Sequence, residues 1–296
     1  MHRTVFKDLA TNYLEVRKDE WYVDATFGAG GHTEAILQLG GKVVAFDYDE
    51  SAISKGQKRF KDEIENGQLI LVRENFDLLE KTVVDLQHEG KIDFISGVLL
   101  DLGTSTDQLM SSEFGLSFSQ SGPLDMRLDN RLGVKAADLI MVLSEKQLAT
   151  LFFEYGGELE GRQIAKAIVS RRNKYGARAF ASTGDLVTLI TATKKHTSTH
   201  LHPATKVFQA LRIAVNDEIA NLERVLPQAF NVLAPKGRLV TIAFHEGEDR
   251  PIKQFMKNLQ VRALATLIEK RPVLPDRTEL KNPRSRSAKM RILEKL

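Results

Sequence analysis

The first hundred residues alternate between short apolar runs and amphipathic segments. Apolar runs typical of strands cover residues 21–27, 42–47, 69–73 and 92–102, and helical periodicity fills most of the intervals between them. The run over 92–102 is almost continuously apolar, which is typical of a strand buried on both faces of a parallel sheet. Strands that alternate with helices in this way predict βαβ units and a doubly wound α/β sheet.

This alternation stops after residue 103. Residues 103–130 are rich in Ser, Gly and Asp and are typical of a loop, whereas residues 135–193 show helical periodicity throughout. We therefore predict an inserted all-helical domain over residues 105–204. The sheet domain is then formed by residues 1–104 and 205–296.

The second part of the sheet domain is expected to begin with a long amphipathic helix. Apolar residues recur at helical spacing from Val207 to Leu222, and Pro227 is expected to interrupt the helix. A fifth strand over residues 239–244 and a closing strand over residues 288–293 complete the predicted sheet.

Composition narrows the chemistry available to the chain. It has 296 residues, seven His and no Cys, which excludes disulfides, thiolate metal sites and cysteine nucleophiles. The His residues lack the spacing of a metal site, so we expect no metal. No apolar run is long enough to span a membrane and the first residues lack a signal-peptide pattern, so we expect a cytoplasmic protein with no membrane partner.

The net charge of +3 is unevenly distributed along the chain. Residues 270–296 contain nine Lys or Arg and three Asp or Glu, a net charge of +6, and the rest of the chain carries −3. A basic tail on a mildly acidic body favours a polyanionic partner. On charge alone, a solvated charged terminus is an equally good interpretation.

A glycine-rich turn follows the first predicted strand. Residues 24–33 have the sequence DATFGAGGHT, in which Gly28 and Gly30 lie between the strand and a helix. Glycines let the backbone approach a ligand, and a helix N-terminus offers free N–H groups. Thr33 stands where a dinucleotide motif has its third glycine, which favours a cofactor without a pyrophosphate, such as S-adenosylmethionine. The alternative is a tight turn that binds no ligand.

Acidic residues end the second and fourth predicted strands. Asp47 lies nineteen residues after Gly28, where a carboxylate can accept hydrogen bonds from both ribose hydroxyls, and Asp49 is well placed to cap the next helix. Asp101 ends the most apolar strand at the same sheet edge, with a turn-capping role as the alternative. Phe76 is expected either to flank an adenine or to pack in the core.

Six sequence blocks, in order, cover nearly the whole chain: DATFGAGGHTEAIL, LLDLGTSTDQL, GPLDMRLDN, HPATKVFQALRIAVNDEI, LAPKGRLVTIAFHEGEDRPIKQFM and NPRSRSAKMRI. Together they resemble the bacterial 16S rRNA cytosine amino-nitrogen methyltransferase family. The resemblance implies a class I methyltransferase (Rossmann-like) sheet interrupted by a helical substrate domain, with S-adenosylmethionine as the cofactor. It also implies a cytosine of the small ribosomal subunit as methyl acceptor. The cofactor positions that it implies are Gly30, Gly31, His32, Asp47, Phe76, Asp101 and Gln108.

The absence of cysteine bears on the reaction. Methylation of a cytosine at ring carbon 5 ordinarily needs a cysteine adduct, whereas direct in-line attack by the exocyclic amine needs only positioning and a hydrogen-bond acceptor. Asp101 is a candidate acceptor, unless it serves only the cofactor. His245 follows the fifth strand, and either orients the base or is structural. Asp125 lies in the third block, where it either holds a flipped base or forms an ion pair with Arg127.

Basic residues are the candidates for contact with the RNA backbone. They are Arg127, Arg171, Arg172, Arg284, Arg286 and Lys289. Two segments depart from the usual pattern of the family, AFHEGEDR at 243–250 and DLGTSTDQ at 101–108. A paralogue that methylates another RNA site or a non-nucleic-acid acceptor, and a ribosome-assembly factor without turnover, are therefore the alternatives. The sequence leaves a monomer and a homodimer equally open.

Overall fold

The computed structural model describes residues 4–103, 114–117, 121–195 and 201–296. The chain forms two compact units, one of residues Met1–Gly103 with Ile219–Leu296 and the other of residues Thr104–Glu218. The first contains the sheet and the second is helical, and each is described by itself.

The first unit is built on a seven-stranded sheet with the strand order β3-β2-β1-β4-β5-β7-β6. Strands β1 to β5 are parallel, β7 is antiparallel to β5, and β6 is antiparallel to β7. The strands are β1 (Trp21–Asp24), β2 (Lys42–Phe46), β3 (Leu69–Val72), β4 (Ile95–Asp101), β5 (Leu233–Ala243), β6 (Ala265–Leu267) and β7 (Lys289–Lys295). Four of them were predicted from sequence with slightly different ends, and β7 matches the predicted closing strand. β5 begins six residues before the predicted start at residue 239, and β6 was not predicted.

Successive residues of the central strands point into two separate cores. Val44, Val98 and Leu100 lie in one, and their chain neighbours Val43 and Leu99 lie in the other. This alternation explains why β4 is apolar at nearly every position, since both of its faces are buried. The predicted doubly wound α/β sheet is therefore confirmed.

Helices cover both faces of this sheet. The first core is closed by apolar residues of α5, α11 and α12, and the second by residues of α1 and α2. The helices of this unit are α1 (Lys7–Leu14), α2 (Gly31–Gln38), α3 (Glu50–Arg59), α4 (Lys61–Glu65), α5 (Leu79–His88), α11 (Glu218–Val232) and α12 (Glu246–Val261). None of the described helices is both long and apolar enough to cross a membrane.

The second unit packs its own helices around a separate apolar core. Phe152, Ile164, Ile168, Leu186 and Leu211 are buried together in it. Its described helices are α6 (Ala136–Val142), α7 (Glu145–Gly156), α8 (Gly161–Tyr175), α9 (Thr183–Thr193) and α10 (Thr205–Val215). The boundary predicted at residue 204 differs from the boundary in the structure, because α10 packs on α7 and supplies this core.

The predicted interruption at Pro227 is wrong. Pro227 lies inside α11 on the exposed side of the helix, where the carbonyl group that it leaves unpaired can bind water. The chain breaks earlier, at Asn216 and Asp217. Asp217 has a φ of 50°, and the buried Asn216 amide donates to Met126 O and accepts from Leu128 N. These bonds end α10 and hold the loop that contains Asp125.

Several cations of the basic tail are bonded to other residues of the sheet unit. Arg291 on β7 binds the buried Asp249 through Nε–Oδ1 and Nη2–Oδ2 contacts of 2.6 and 3.0 Å. Lys289 contacts the same carboxylate, and Lys295 Nζ donates to three backbone carbonyls at the end of α11. Burial alone would raise the pKa of Asp249, but Arg291 and Lys289 outweigh it, so the pKa lies below its usual value.

We expect Arg291→Leu to lower the free energy of unfolding by about 3 kcal/mol, because the buried Asp249 carboxylate loses its bidentate partner. The double variant Asp249→Leu/Arg291→Leu should recover most of this loss, since neither charge is then buried alone. Urea unfolding measures both, with the exposed Lys257→Leu as control. Equal instability of the single and double variants would contradict the assignment.

Candidate cofactor and active site

The turn after β1 needs glycine at two positions. Gly28 and Gly30 have φ values of 53° and 76°, in the left-handed region. A methyl group on Gly30 would lie 2.7 Å from the Phe60 ring and 2.9 Å from the Phe27 ring. α2 then begins at Gly31, and Gly30 offers its N-terminus no side-chain cap. The backbone therefore turns tightly against two aromatic rings where the carboxyl end of β1 meets the helix.

Asp47 follows β2 and faces this turn. Its Oδ2 accepts a hydrogen bond of 2.8 Å from Gly28 N, and its Oδ1 accepts one of 2.9 Å from Asp49 N. Asp49 itself caps α3 by accepting from Ser51 N, so the two carboxylates have the separate placements predicted from sequence.

Burial raises the pKa of Asp47 to about 7, and the two backbone donors only partly oppose this effect. Between pH ~4 and pH ~7, Asp47 is therefore protonated in the folded protein and ionised in the unfolded chain. The free energy of unfolding falls as the pH rises through that window. A ligand that donates hydrogen bonds to the carboxylate would offset this cost.

A buried polar cluster joins the ends of β1 and β4. Asp24 is fully buried and accepts from Thr33 Oγ1 at 2.7 Å and from Thr26 N at 3.1 Å. The Thr26 hydroxyl in turn accepts from Asp101 N at 2.8 Å. Burial raises the pKa of Asp24, and the nearby His32 works against this shift.

His32, on the first turn of α2, lies between these two acidic residues. It is 4% exposed, and its Nε2 lies 3.4 Å from Asp101 Oδ2. Neither ring nitrogen makes a hydrogen bond to any residue that the structure describes. A buried ring nitrogen without a hydrogen bond is costly, so the contact with Asp101 leaves His32 only partly satisfied.

Arg284 reaches the same strand end from the tail. A methyl group on Gly103 would lie 3.4 Å from Arg284 Nη2 and 2.7 Å from the Phe244 ring. Burial lowers the pKa of Arg284, and the negative charge of Asp101 opposes that shift. The sequence predicted Arg284 as a surface contact for RNA; the structure places it half-buried beside the end of β4. Arg286 is exposed, and Lys289 is paired with Glu246.

His245 follows β5 and precedes α12. Its Nε2 lies 3.0 Å from Oε1 of Glu248, a buried residue whose Oε2 accepts from Phe244 N at 2.7 Å. Sequence reasoning missed Glu248. The signal that could have found it is its spacing, since an acidic residue three positions after the residue that precedes a helix is typical of a capping box.

Asp125 lies in the helical unit and is tied to its neighbours. Arg127 Nε and Nη2 donate to its two oxygens at 2.6 and 2.9 Å, and Lys135 Nζ lies 3.4 Å away. Burial alone would raise the pKa of Asp125, but these cations outweigh it and hold it below its usual value. Arg127 also donates to Leu132 O at 2.6 Å. Its guanidinium therefore holds the loop together, as the ion-pair alternative describes.

The remaining candidate site residues lie in different parts of the fold. Phe76 begins a short 3₁₀ turn after β3, where it is half-buried against the core. Arg171 and Arg172 bind backbone carbonyls inside the helical unit. Gln108 lies outside the described residues. The roles predicted for all these side chains stay predictions.

A sequence model for one protein family matches residues 1–296 of this chain, and its description is the MraW methylase family. The chain belongs to this family. It is a methyltransferase with S-adenosylmethionine as its cofactor, and its sheet has the class I methyltransferase fold.

Two solved structures are similar to it over their whole lengths. One is an rRNA methylase from Streptococcus thermophilus, with 14% identity and a TM-score of 0.47, covering 100% of this chain and 99% of the other. The second was solved in complex with SAH and is assigned as a methyltransferase from Streptococcus mutans, with 14% identity, a TM-score of 0.49 and 100% of both chains covered. The family assignment rests on the sequence match.

We expect Gly30→Ala to destabilise the protein more than Gly67→Ala. Both positions have a positive φ, but a methyl group on Gly67 meets nothing within 4 Å, whereas one on Gly30 meets two rings. Gly67→Ala therefore measures the backbone strain alone, about 1–2 kcal/mol, and Gly30→Ala adds the steric cost. Chemical unfolding of both variants checks this expectation, and equal losses would contradict the close packing.

Proposed function

We propose that this protein transfers a methyl group from S-adenosylmethionine to the exocyclic amino nitrogen of a cytosine in small-subunit ribosomal RNA, in the cytoplasm. The observation that carries the proposal is the group of Asp47, Asp101 and the buried His32 around one sheet edge, in a chain that matches the MraW methylase family from end to end.

The site has the groups that this cofactor requires. Each Asp47 oxygen accepts one hydrogen bond from a backbone N–H, which leaves acceptor capacity for two ribose hydroxyls. We assign the turn from Gly28 to Gly31 to the methionine part of the cofactor, and Phe76 to one side of the adenine. His32 gains a hydrogen-bond partner when the cofactor binds. Gln108 is the remaining proposed contact.

When bound, the cofactor supplies an electrophilic methyl group on a sulfonium, and the chain positions the acceptor. Asp101 ends β4, where its carboxylate accepts a hydrogen bond from the target amine and turns the nitrogen lone pair towards the methyl group. As the bond between nitrogen and the methyl carbon formed, the bond from that carbon to sulfur would break and its electron pair would stay on sulfur. The nitrogen would then release one proton, which we assign to Asp101. His245, supported by Glu248, orients the base. The proposed contact of Asp125 with the flipped base rests on the sequence alone.

The decisive experiment supplies labelled S-adenosylmethionine to small ribosomal subunits from a strain that lacks this modification. We expect label in amino-methylated cytidine after digestion to nucleosides. Label in another nucleoside would indicate a paralogue with a different RNA site, and cofactor binding without incorporation would indicate an assembly factor. Either result would overturn the proposal.

Asp47 should make cofactor binding depend on pH. The ribose hydroxyls donate to the carboxylate, so affinity should fall as the pH drops below about 7, the pKa of this group. Asp47→Ala should weaken binding at pH 8 several-fold or more, because two hydrogen bonds to a charged group are lost. Calorimetry from pH 6 to pH 8.5 measures both effects.

Asp47→Asn is the matched control, since it keeps the size of the side chain and cannot ionise. It should bind weakly and without the step near pH 7. If the step persists in this variant, the titrating group is another residue.

The tail arginines should contribute to RNA turnover. We expect Arg284→Ala/Arg286→Ala to raise the KM for ribosomal subunits and to flatten its dependence on salt, because cationic contacts with phosphate release counterions. Cofactor affinity is measured in parallel, because a loss of cofactor binding would show that Arg284 acts on the site near Asp101 and not on the RNA. Unaltered salt dependence would argue against phosphate contacts.

A further inference from the structure

Helix α8 and the turn after it form the most one-sidedly charged segment of the helical unit. Residues 161–178 contain six Lys or Arg and no Asp or Glu. A solvated helix face ordinarily mixes both signs and gains stability from pairs of opposite charge one turn apart. This segment has no acidic residue with which to form such a pair.

Two of the six cations are used inside the unit. Arg171 Nε donates to Ala179 O at 2.8 Å, and its Nη2 lies 3.2 Å from Asp185 Oδ1. Arg172 Nη1 donates to Ile140 O and Leu143 O at 2.8 and 2.6 Å, which caps the carbonyl end of α6. These arginines, although predicted from sequence as RNA contacts, hold neighbouring segments of the fold together.

The other four cations are exposed to solvent. They make no ion pair or hydrogen bond with any residue that the structure describes. They are Arg162, Lys166, Lys174 and Arg178. Tyr175 is 53% exposed beside them, and Lys174 Nζ lies 5.1 Å from the centre of its ring.

Arg162, Lys166 and Lys174 lie along one exposed side of α8, Tyr175 is its last residue, and Arg178 lies in the short turn that follows. The exposed positions of α8 recur at one-, three- and four-residue spacing, and the neutral residues among them are Gln163, Ser170 and Asn173, all of which can hydrogen-bond. From residue 162 to residue 174 the helix rises about 18 Å. The face therefore offers a line of cations and polar groups along a path that several nucleotides can follow.

We propose that this face, which we call the α8 face (Arg162, Lys166, Lys174, Tyr175 and Arg178), binds the phosphodiester backbone of the RNA substrate. Flexible, unpaired cations suit phosphates, which position a nucleic acid without selecting its sequence. Tyr175 adds an exposed aromatic ring on which an unpaired base stacks. The inference rests on the proposed function for the identity of the RNA.

The test replaces the four cations together, with Arg162→Gln, Lys166→Gln, Lys174→Gln and Arg178→Gln in the full chain. The probe is a fluorescently labelled transcript of small-subunit ribosomal RNA, and its anisotropy is followed from 50 to 300 mM salt. We expect affinity to fall about tenfold or more, and the slope of log K against log salt to flatten by about 3.

The matched control removes four exposed cations of the sheet unit, with Lys253→Gln, Lys257→Gln, Arg262→Gln and Arg271→Gln. This variant has the same change in net charge, and it should keep most of the affinity for RNA and most of the slope of log K against log salt. Tyr175→Ala should weaken binding about fivefold or more, whereas Tyr175→Phe should restore it, since stacking needs only the ring. Thermal unfolding and cofactor affinity of each variant verify that the fold is retained.

The outcomes separate this inference from the proposed function. If the α8 variant binds RNA with the same affinity and slope as the wild type, or if the control loses as much, the α8 face is not the RNA site. If RNA binding depends on the α8 face but no methyl group is transferred, the inference stands and the proposed function fails.

Discussion

The site depends on one constraint, the burial of carboxylates where parallel strands end. The carboxyl ends of β1, β2 and β4 meet at one sheet edge. The strands, and not the loops, therefore determine the positions of Asp24, Asp47 and Asp101. Burial raises the pKa of Asp24 and Asp47, and His32 lies between Asp24 and Asp101. The protein thus maintains a costly polar cluster in its interior, which is typical of a site adapted to a ligand rather than to stability.

The sequence predicted the features that depend on local periodicity and on strand ends. The alternation of strand and helix predicted the sheet, and its strand ends predicted that Asp47 lies at the edge that carries the glycine turn. The hydrogen bond between Gly28 N and Asp47 was not predicted, and the predicted contact of Asp47 with ribose stays a prediction. The different placements of Asp47 and Asp49 also followed from position alone, because a residue just before a helix is placed to cap it.

Other features of the fold could not be predicted from the sequence, for physical reasons. β6 has three residues, too few for a period to emerge, and α1 begins after Phe6, which has a left-handed backbone and no capping side chain. The break at Asp217 depends on the bonds of Asn216 to a distant loop. Likewise, no local pattern tells that Arg172 caps a helix whereas Lys174 faces water, since only the packed fold decides which cation meets a carbonyl.

The insertion between β4 and β5 has a consequence for the order in which the chain folds. These two strands are neighbours in the sheet, yet the chain between Asp101 and Leu233 contains the entire helical unit. Pairing them early would close a long flexible loop at an entropic cost, whereas contacts within the helical unit, such as those between α7 and α10, close shorter loops. We therefore expect the helices to form first, so that the nucleus of folding lies in the inserted unit and the β4–β5 pairing is a late event.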